Sequence, residues 1–559
     1  MNAERLLAHY EQIMDAPDAI AQLRRFILDL AVRGKLVPQD TAEEDASELL
    51  KRIAAEKTRL VKARGIRPPK AIPELSEQPF SIPSNWRWSQ LAEIGVLNPR
   101  NEAPDALEAS FVPMPLIAAE YGVPNRHETR PWGEIKKGYT HFAEGDVGLA
   151  KITPCFENRK STVFRNLTGG MGSGTTELHI IRPLFVDQEY ILLFLKSPHF
   201  IETGIPKMTG TAGQKRVPAE YFAHSPFPLP PLAEQRRIVA KVDELMGLCD
   251  TLEAARAGRE AVRDRLTAAS LARLNVPDPE TFKADARFAL DTLSALTTRP
   301  DQIKAMRQTI LNLAVRGKLV PQHPSDEPAS ELLTRIAKEK AERVISARDQ
   351  GATKINPLTG DEVPFPAPPN WVWASLGDIT ISRDGERIPV SREEREKKVK
   401  VYDYYGASGV IDKIDGYLFD KPLLLIGEDG ANLINRSTPI AFIARGEYWV
   451  NNHAHVLDGI SEGFLRYVEL FINAIDLKPY VTGTAQPKMN QAKMNSIPVA
   501  MPPLTEQHRI VAKVDELMAL CDALEGGLAS ISTIRHRLLD ALLAKALAPV
   551  VDQELEAAE

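Results

Sequence analysis

Ten residues, Leu30-Ala31-Val32-Arg33-Gly34-Lys35-Leu36-Val37-Pro38-Gln39, recur letter for letter at 313–322, so any fold for this chain has to be built twice. The same offset aligns Ser47-Glu48-Leu49-Leu50 with Ser330-Glu331-Leu332-Leu333, and Arg52-Ile53-Ala54 with Arg335-Ile336-Ala337. Asn85-Trp86-Arg87-Trp88 then matches Asn370-Trp371-Val372-Trp373. A last shared block runs from Pro230-Pro231-Leu232 through Glu234-Gln235 and 238–246 to Leu252-Glu253. Its partner runs from Pro502-Pro503-Leu504 through Glu506-Gln507 and 510–518 to Leu524-Glu525. The chain is therefore two copies of one plan: helical segment, variable domain, helical segment.

The shared parts have helical periodicity. Ile510, Val514, Leu517, Cys521, Leu524, Leu528 and Ile531 alternate at four and three residues, a coiled-coil seam that keeps one stripe facing a partner helix. The central block repeats it through Ile238, Val242, Leu245, Cys249 and Leu252, then loses register around Arg256 and Arg259. Each helix follows Pro-Pro-Leu, where proline blocks upstream extension, and Glu in the first turn suits the helix dipole. A helix over 232–274 spans roughly 60–65 Å at 1.5 Å per residue, which is the length of a spacer. Ile20, Leu23, Ile27 and Leu30 form a shorter stripe, repeated as Ile303, Met306, Ile310 and Leu313. Gly34 and Gly317 are natural C-caps, with Pro38 and Pro321 beyond them. Second helices are expected near 46–64 and 329–348.

Between the helices, turn residues and short β-rich runs dominate from Pro79 to Leu229 and from Pro364 to Met501. Gly148-Leu149-Ala150-Lys151-Ile152, Leu178-His179-Ile180-Ile181 and Leu423-Leu424-Leu425-Ile426 read as strands, and 188–197 and 463–475 as helices. Each stretch is read as a compact α+β domain of roughly 140–150 residues. The two Trp pairs open these domains and anchor strand starts in the core.

The chain has no uninterrupted apolar run of about 18 residues, so no membrane span is expected. Met1-Asn2-Ala3-Glu4-Arg5 lacks the start of a signal peptide. Three cysteines cannot form a framework of staples, and reduced thiols in a cytoplasmic protein are the expectation. Cys249 and Cys521 occupy seam positions and read as buried thiols. A formal net charge of −6 argues against non-specific coating of nucleic acid but leaves local basic surfaces open. There is no Asn/Asp-Pro-Pro-Tyr/Phe motif for amino-methylation, no glycine fingerprint for S-adenosylmethionine, no Gly-Lys-Ser/Thr phosphate loop and no nuclease-like acid–acid–Lys cluster.

With the repeat in place, the chain resembles the specificity (S) subunits of type I restriction-modification systems over nearly its whole length. The resemblance rests on residues 31–39, on Ile82-Pro83-x-x-Trp86-x-Trp88-x-x-Leu91, and on Pro230-Pro231-Leu232-Ala233-Glu234-Gln235-Arg236-Arg237-Ile238-Val239. Gly145-Asp146-Val147, residues 149–158, Gly427-Glu428-Asp429-Gly430-Ala431-Asn432 and Trp449-Val450-Asn451-Asn452-His453-Ala454-His455-Val456 add to it. The order of these blocks, twice over, is what carries it. It departs from the commonest layout in one respect: a substantial helical segment precedes the first recognition domain.

The resemblance implies an α+β chain in which two α/β target-recognition domains are separated by long antiparallel coiled-coil helices with a pseudo-two-fold repeat. The expected organisation is a helical segment at 1–78, recognition domain 1 at 79–229, a spacer helix at 230–275 and a linker at 276–300. There follow a repeated helical segment at 301–350, recognition domain 2 at 363–501, a distal spacer at 502–548 and a tail at 549–559. It further implies a non-catalytic subunit whose domains each read one half of a bipartite double-stranded DNA site. Two methylation subunits dock on the helices and restriction subunits complete the nuclease. S-adenosylmethionine, ATP and Mg²⁺ then belong to the partner subunits and no cofactor to this chain. An approximately two-fold protein presents its half-sites in opposed orientation, and helix length fixes the gap. The alternative is a specificity subunit of a related type II system.

Base readout needs donors and acceptors on loops, whereas phosphate contacts only position the protein. Thr209-Gly210-Thr211-Ala212-Gly213-Gln214-Lys215-Arg216 has its counterpart in Thr482-Gly483-Thr484-Ala485-Gln486-Pro487-Lys488-Met489-Asn490. Small residues allow close backbone approach, Gln or Asn suits adenine, and Lys or Arg suits guanine or phosphate. The candidate DNA-binding residues are therefore Gln214, Lys215, Arg216, Gln486, Lys488 and Asn490. Lys151, Arg159 and Lys160 join them from a strand-and-turn run, and Asn435 and Arg436 from a Gly-rich turn. Arg383, Arg387, Arg392 and the lysines at 397, 398 and 400 alternate with acids and read as a solvated segment. His453 and His455 share a strand face, but with no third ligand near they read as packing groups and no metal site is assigned.

Overall fold

The repeated sequence builds the same local structures twice. The computed structural model describes residues 16, 18–40, 42–63, 66, 71–75, 78–343, 355–483 and 486–547. The expectations about a leader sequence, the far end of the 329–348 helix and the 549–559 tail lie outside those residues. The chain divides into two units, residues 1–259 with 532–559, and residues 260–531.

In each unit a helix ends on the repeated Val-Arg-Gly-Lys. Ala19–Val32 and Pro300–Val315 stop before Gly34 and Gly317, which adopt φ of +65° and +66°. Lys35 N–H then donates to the Leu30 carbonyl at 3.0 Å and Lys318 N–H to Leu313 at 2.9 Å, a Schellman closure that only the left-handed residue permits. A Cβ at either glycine would also strike a proline ring, Pro83 or Pro368, at 2.5 Å. Second helices follow at Ala46–Lys62 and Ala329–Arg343.

The long helices are Leu232–Asn275 and Leu504–Leu547, each 44 residues. Their first halves pack on the short helix of their own unit. Ile238, Val242 and Cys249 are buried with Ile20 and Ile27, while Ile510, Val514 and Cys521 are buried with Ile303 and Ile310. Arg24 bridges Asp250 and Glu253, and Arg307 bridges Asp522 and Glu525, along the same contacts. The seam thus has a partner helix, but it is the short repeated one. Farther along, Leu524 and Ile531 are 37% and 47% exposed. The distal helix also contains a stretch of mean hydropathy 1.3, long and apolar enough by composition to cross a membrane, where none was expected. Two further helices, Phe282–Asp291 and Leu293–Leu296, occupy the stretch expected to be a linker. Phe282, Ala286 and Ala289 pack there against Leu271 and Leu274. Their apolar spacing is short and interrupted by Lys283, Asp285 and Arg287, which hides it in the sequence.

A buried carboxylate joins each variable domain to its long helix. Glu234 accepts from Trp86 Nε1 at 2.9 Å and Gln39 Nε2 at 2.7 Å; Glu506 accepts from Trp371 Nε1 at 3.0 Å and Gln322 Nε2 at 2.5 Å. All six residues belong to the repeated blocks. Burial pushes both carboxyl groups above their ordinary value, against the opposing pull of the tryptophan and glutamine donors. Nearby, Arg237 grips Glu43 and Arg509 grips Asp326.

The variable domains are small mixed sheets with a helix packed on them. In the first, Gly95–Leu97, Leu178–Pro183, Val147–Ala150 and Ser161–Val163 form one four-stranded sheet. Glu128–Pro131, Glu108–Val112, Met171–Gly174 and Thr140–Ala143 form another. In the second, Ile381–Ser382, Ala454–Asp458, Leu423–Gly427 and Ala441–Ala444 make a four-stranded sheet beside a three-stranded one. The apolar helices Gln188–Lys196 and Glu462–Ala474 start at Asp187 and Ser461, whose side chains accept from first-turn N–H groups. Each domain is closed by a two-stranded pair, Arg87–Gln90 with Pro226–Leu229 and Val372–Ser375 with Pro498–Met501. The Trp pairs stand at these strand starts, and Trp86, Trp371 and Trp373 are buried. The chain is an α+β protein with two long helices.

Lys196 is buried at the end of its helix, donating to the carbonyls of Ala119 and Arg159 at 2.9 and 3.0 Å. Burial lowers it to about 7, and a neutral amine has the two N–H groups those carbonyls need. The unfolded chain keeps this lysine protonated to its ordinary 10.5, so unfolding takes up a proton between pH 7 and 10.5. Stability from this group is lowest below pH 7 and rises with pH through that window. In urea unfolding, the wild type is expected to gain about 2–4 kcal/mol relative to Lys196→Met between pH 7 and 10. A constant difference would contradict the assignment.

Candidate nucleic-acid interface

The loops 209–216 and 482–488 are each closed by a reciprocal main-chain pair. Thr209 and Arg216 exchange N–H···O bonds at 3.0 and 2.8 Å, and Thr482 and Lys488 exchange theirs at 2.8 Å each. A neighbouring strand end holds the root of each loop. Val217 N–H donates to the Lys151 carbonyl and Met489 N–H to the Glu428 carbonyl, both at 2.8 Å. Thr153 N–H reaches the Lys215 carbonyl at 2.9 Å, and Gly430 N–H reaches the Pro487 carbonyl at 3.0 Å. Lys151 N–H donates to Glu177, and Glu428 N–H to His453, on the next strand. Lys151, Glu177 and Arg216 in one domain thus occupy the main-chain positions of Glu428, His453 and Lys488 in the other.

Glycine is needed at the matching position of both loops. Gly210 and Gly483 adopt φ of +126° and +82°, and a Cβ there would lie 2.9 and 2.7 Å from the carbonyl oxygens of Gln214 and Gln486. The loops project outward: Gln214, Lys215, Arg216, Gln486 and Lys488 are all exposed. Thr484 and Ala485 lie outside the described residues.

The frame is common but the charges on it differ. In the first domain Arg216 makes a two-pronged contact with Glu177 at 2.9 and 2.8 Å, which holds the Glu177 carboxyl below its ordinary value. Lys151 stands beside them as a second cation. In the second domain Lys488 lies 3.2 Å from Glu428, which Arg387 also binds at 2.9 Å, and His453 bonds Asp429 at 2.7 Å. One loop root carries two cations and one acid; the other carries two cations, two acids and a histidine.

Not every candidate reaches this place. Arg436, itself left-handed at φ +50°, donates to the Ile475 carbonyl at 2.8 Å and caps the helix Glu462–Ala474. Burial pulls its guanidinium below the ordinary value. Asn435 is exposed on the same turn. The Asn490 side chain caps the short helix Gln491–Asn495 by accepting from Lys493 N–H at 2.9 Å. Arg159 has a buried Nε without a hydrogen-bond partner and a carbonyl held by Lys196, and Lys160 Nζ lies 3.4 Å from the Met114 carbonyl. Arg436 and Asn490 thus cap helix ends, Arg159 and Lys160 are partly buried, and Asn435 stays exposed. Arg383 and Arg387 are ion-paired with acids; Arg392 is exposed as expected of a solvated segment, but Arg387 is only 13% exposed and also donates to the Ala454 carbonyl at 2.7 Å, so it is a packed group.

Glu177 was not singled out from sequence, Glu428 and Asp429 entered only as part of a familial motif, and Arg387 only as a member of a solvated segment. The signal was present, since Glu177-Leu178-His179 and His453-Ala454-His455 share a strand position, but a match of one histidine is too short to extend the repeat. His455 is buried between Asp384 and the Met489 carbonyl, so it packs as expected.

Two loops of one build and different charge thus stand each on its own domain. Residues 368–531 match the family described as the type I restriction modification DNA specificity domain. The chain is 38% identical to the type I restriction enzyme EcoEI specificity subunit of Escherichia coli, over 94% of each chain. It is also 38% identical to the EcoAI specificity subunit of Escherichia coli, over 94% of this chain and 93% of that one. A solved structure reported with the assembly and conformational transition of the type I R-M system shares the fold at a TM-score of 0.50. Its identity is 17%, covering 84% of this chain and 99% of that chain. The chain belongs to the specificity subunits of type I restriction enzymes, a recognition component and not a catalytic one.

Proposed function

We propose that this chain reads a bipartite double-stranded DNA target for a type I restriction-modification complex, domain 79–229 reading one half and domain 363–501 the other. The observation that carries the reading is the common loop frame with different charges at matching positions. A reader of two unlike half-sites needs the same approach to DNA and different donors. Gln214, Lys215 and Arg216, with Lys151 beside them, contact the first half-site; Gln486 and Lys488 contact the second.

The helices Leu232–Asn275 and Leu504–Leu547 serve as the antiparallel pseudo-two-fold spacer that the family resemblance implies. Two methylation subunits dock on this frame. The equivalent Leu248 and Leu520, 53% and 55% exposed, are apolar surface suited to that contact. Restriction subunits complete the assembly, and S-adenosylmethionine, ATP and Mg²⁺ act on the partners. The complex works on DNA in the cytoplasm. Identity with type I subunits over nearly the whole chain favours this system over a type II one.

Sequencing of methylated bases in a host carrying the operon tests the reading. The expected result is one motif of two unlike specified halves separated by unspecified bases. A single continuous motif, or methylation that persists after this chain is deleted, would contradict it.

A further inference from the structure

A buried histidine pins the root of the recognition loop in both domains. His179, on the strand Leu178–Pro183, places Nε2 at 3.2 Å from the Val217 carbonyl. His455, on the strand Ala454–Asp458, places Nε2 at 2.9 Å from the Met489 carbonyl. The two occupy the same register, opposite Leu149 and Ile426 on the neighbouring strands. Val217 and Met489 are the residues immediately after Arg216 and Lys488, so each ring grips the chain one residue from a loop cation. The rings are 5% and 1% exposed and sit beneath the loop, not on its outer face.

Each ring is itself held in orientation. His179 stacks on Phe222 with centroids 5.1 Å apart and planes 17° apart, and burial keeps it below its ordinary value, so the neutral ring offers an N–H to the carbonyl. His455 is fixed from behind by Asp384, 2.6 Å from Nδ1, whose other oxygen accepts from Val456 N–H. Lys151 and Glu177 give way to Glu428 and His453 between the two domains, while the loop cation, the histidine and its target carbonyl are kept. An invariant bond under a variable surface is what constant presentation of a changing reader requires.

We infer that His179 and His455 are positioning residues for base recognition, each fixing the root of the loop that reads its own half-site. The inference rests on the proposed function and adds to it. Direct readout depends on donors placed within hydrogen-bonding distance of base edges, so a loop whose root is released reads loosely before it stops binding.

The test uses the full operon in a host, with methylated bases read by sequencing. His179→Leu removes the donor; His179→Gln keeps an amide N–H in its place. His179→Leu is expected to raise methylation at sites with one wrong base in the first half by about tenfold or more, leaving the second half as strict as in the wild type. His455→Leu is expected to do the reverse, and His179→Gln to restore most of the fidelity. A variant that lowers total methylation with both halves still strict, or relaxes both halves together, overturns the inference. A glutamine variant as lax as leucine also overturns it. Should His179→Leu leave no folded subunit, the His455→Leu arm decides alone. A wild type without a bipartite motif refutes the functional reading itself, which separates the two failures.

Discussion

Glu234→Ala is expected to destabilise the first unit by about 3–5 kcal/mol, whereas Glu234→Gln costs less than about 1 kcal/mol. The alanine strands the buried donor Trp86 Nε1 and removes the partner of Gln39, an exposed residue, at the point where the variable domain meets its long helix. The orphaned tryptophan donor costs about 1–3 kcal/mol, and the cavity adds to that. Glutamine keeps an oxygen for the tryptophan, and its amide can donate to Gln39 once the Gln39 amide is turned over. It also removes a carboxylate whose ionisation burial opposes. Because the folded value of Glu234 is raised, its contribution is fully present below the ordinary 4.5 and is lost as pH rises through the folded value. The glutamine variant should therefore lose that part of the pH dependence. Urea unfolding of the three proteins decides the matter, and equal losses for alanine and glutamine would refute the latch.

Exchange of residues 79–229 for the corresponding domain of a relative is expected to replace one half of the target completely and leave the other unchanged. The fold makes this segment a cassette. Its two ends meet in the pair Arg87–Gln90 with Pro226–Leu229, where Arg87 faces Leu229, so entry and exit lie side by side. The second domain has the same closure, with Val372 facing Met501. Outside the closure the tryptophan–glutamate latch and the helices are repeated sequence and should accept a foreign domain. Lengthening both long helices by four residues acts on the other variable. It adds about 6 Å of rise, on the order of one to two base steps, to the gap and leaves both half-sites intact.

The frame was legible because it is written twice. Identical letters at Gly34 and Gly317, and again at Glu234 and Glu506, marked positions whose roles the structure then explains: a left-handed cap under a proline, and a buried acceptor for a tryptophan. The seam was legible as a stripe, but periodicity names no partner; that Ile238 is buried in one core with Ile27, and Ile510 with Ile310, is a tertiary choice. The helix Phe282–Asp291 escaped because its six apolar residues, three of them alanine, alternate with charges and make a weak signal. In the recognition domains the loops stood out by their Gly, Gln and Lys content. His179 did not, and His455 was read only as a packing group, since both lie on strands dozens of residues away and their partners are main-chain carbonyls. Arg159, Arg436 and Asn490 show the converse: composition makes them candidates, and local geometry gives them capping and packing work.

A frame of repeated sequence and readers of differing sequence are separable by methylated-base sequencing of two hosts, one carrying the wild-type operon and one carrying it with residues 79–229 exchanged. Two bipartite motifs are expected that share one half and the gap and differ in the other half. Motifs that differ in both halves, or that do not differ at all, would refute that division.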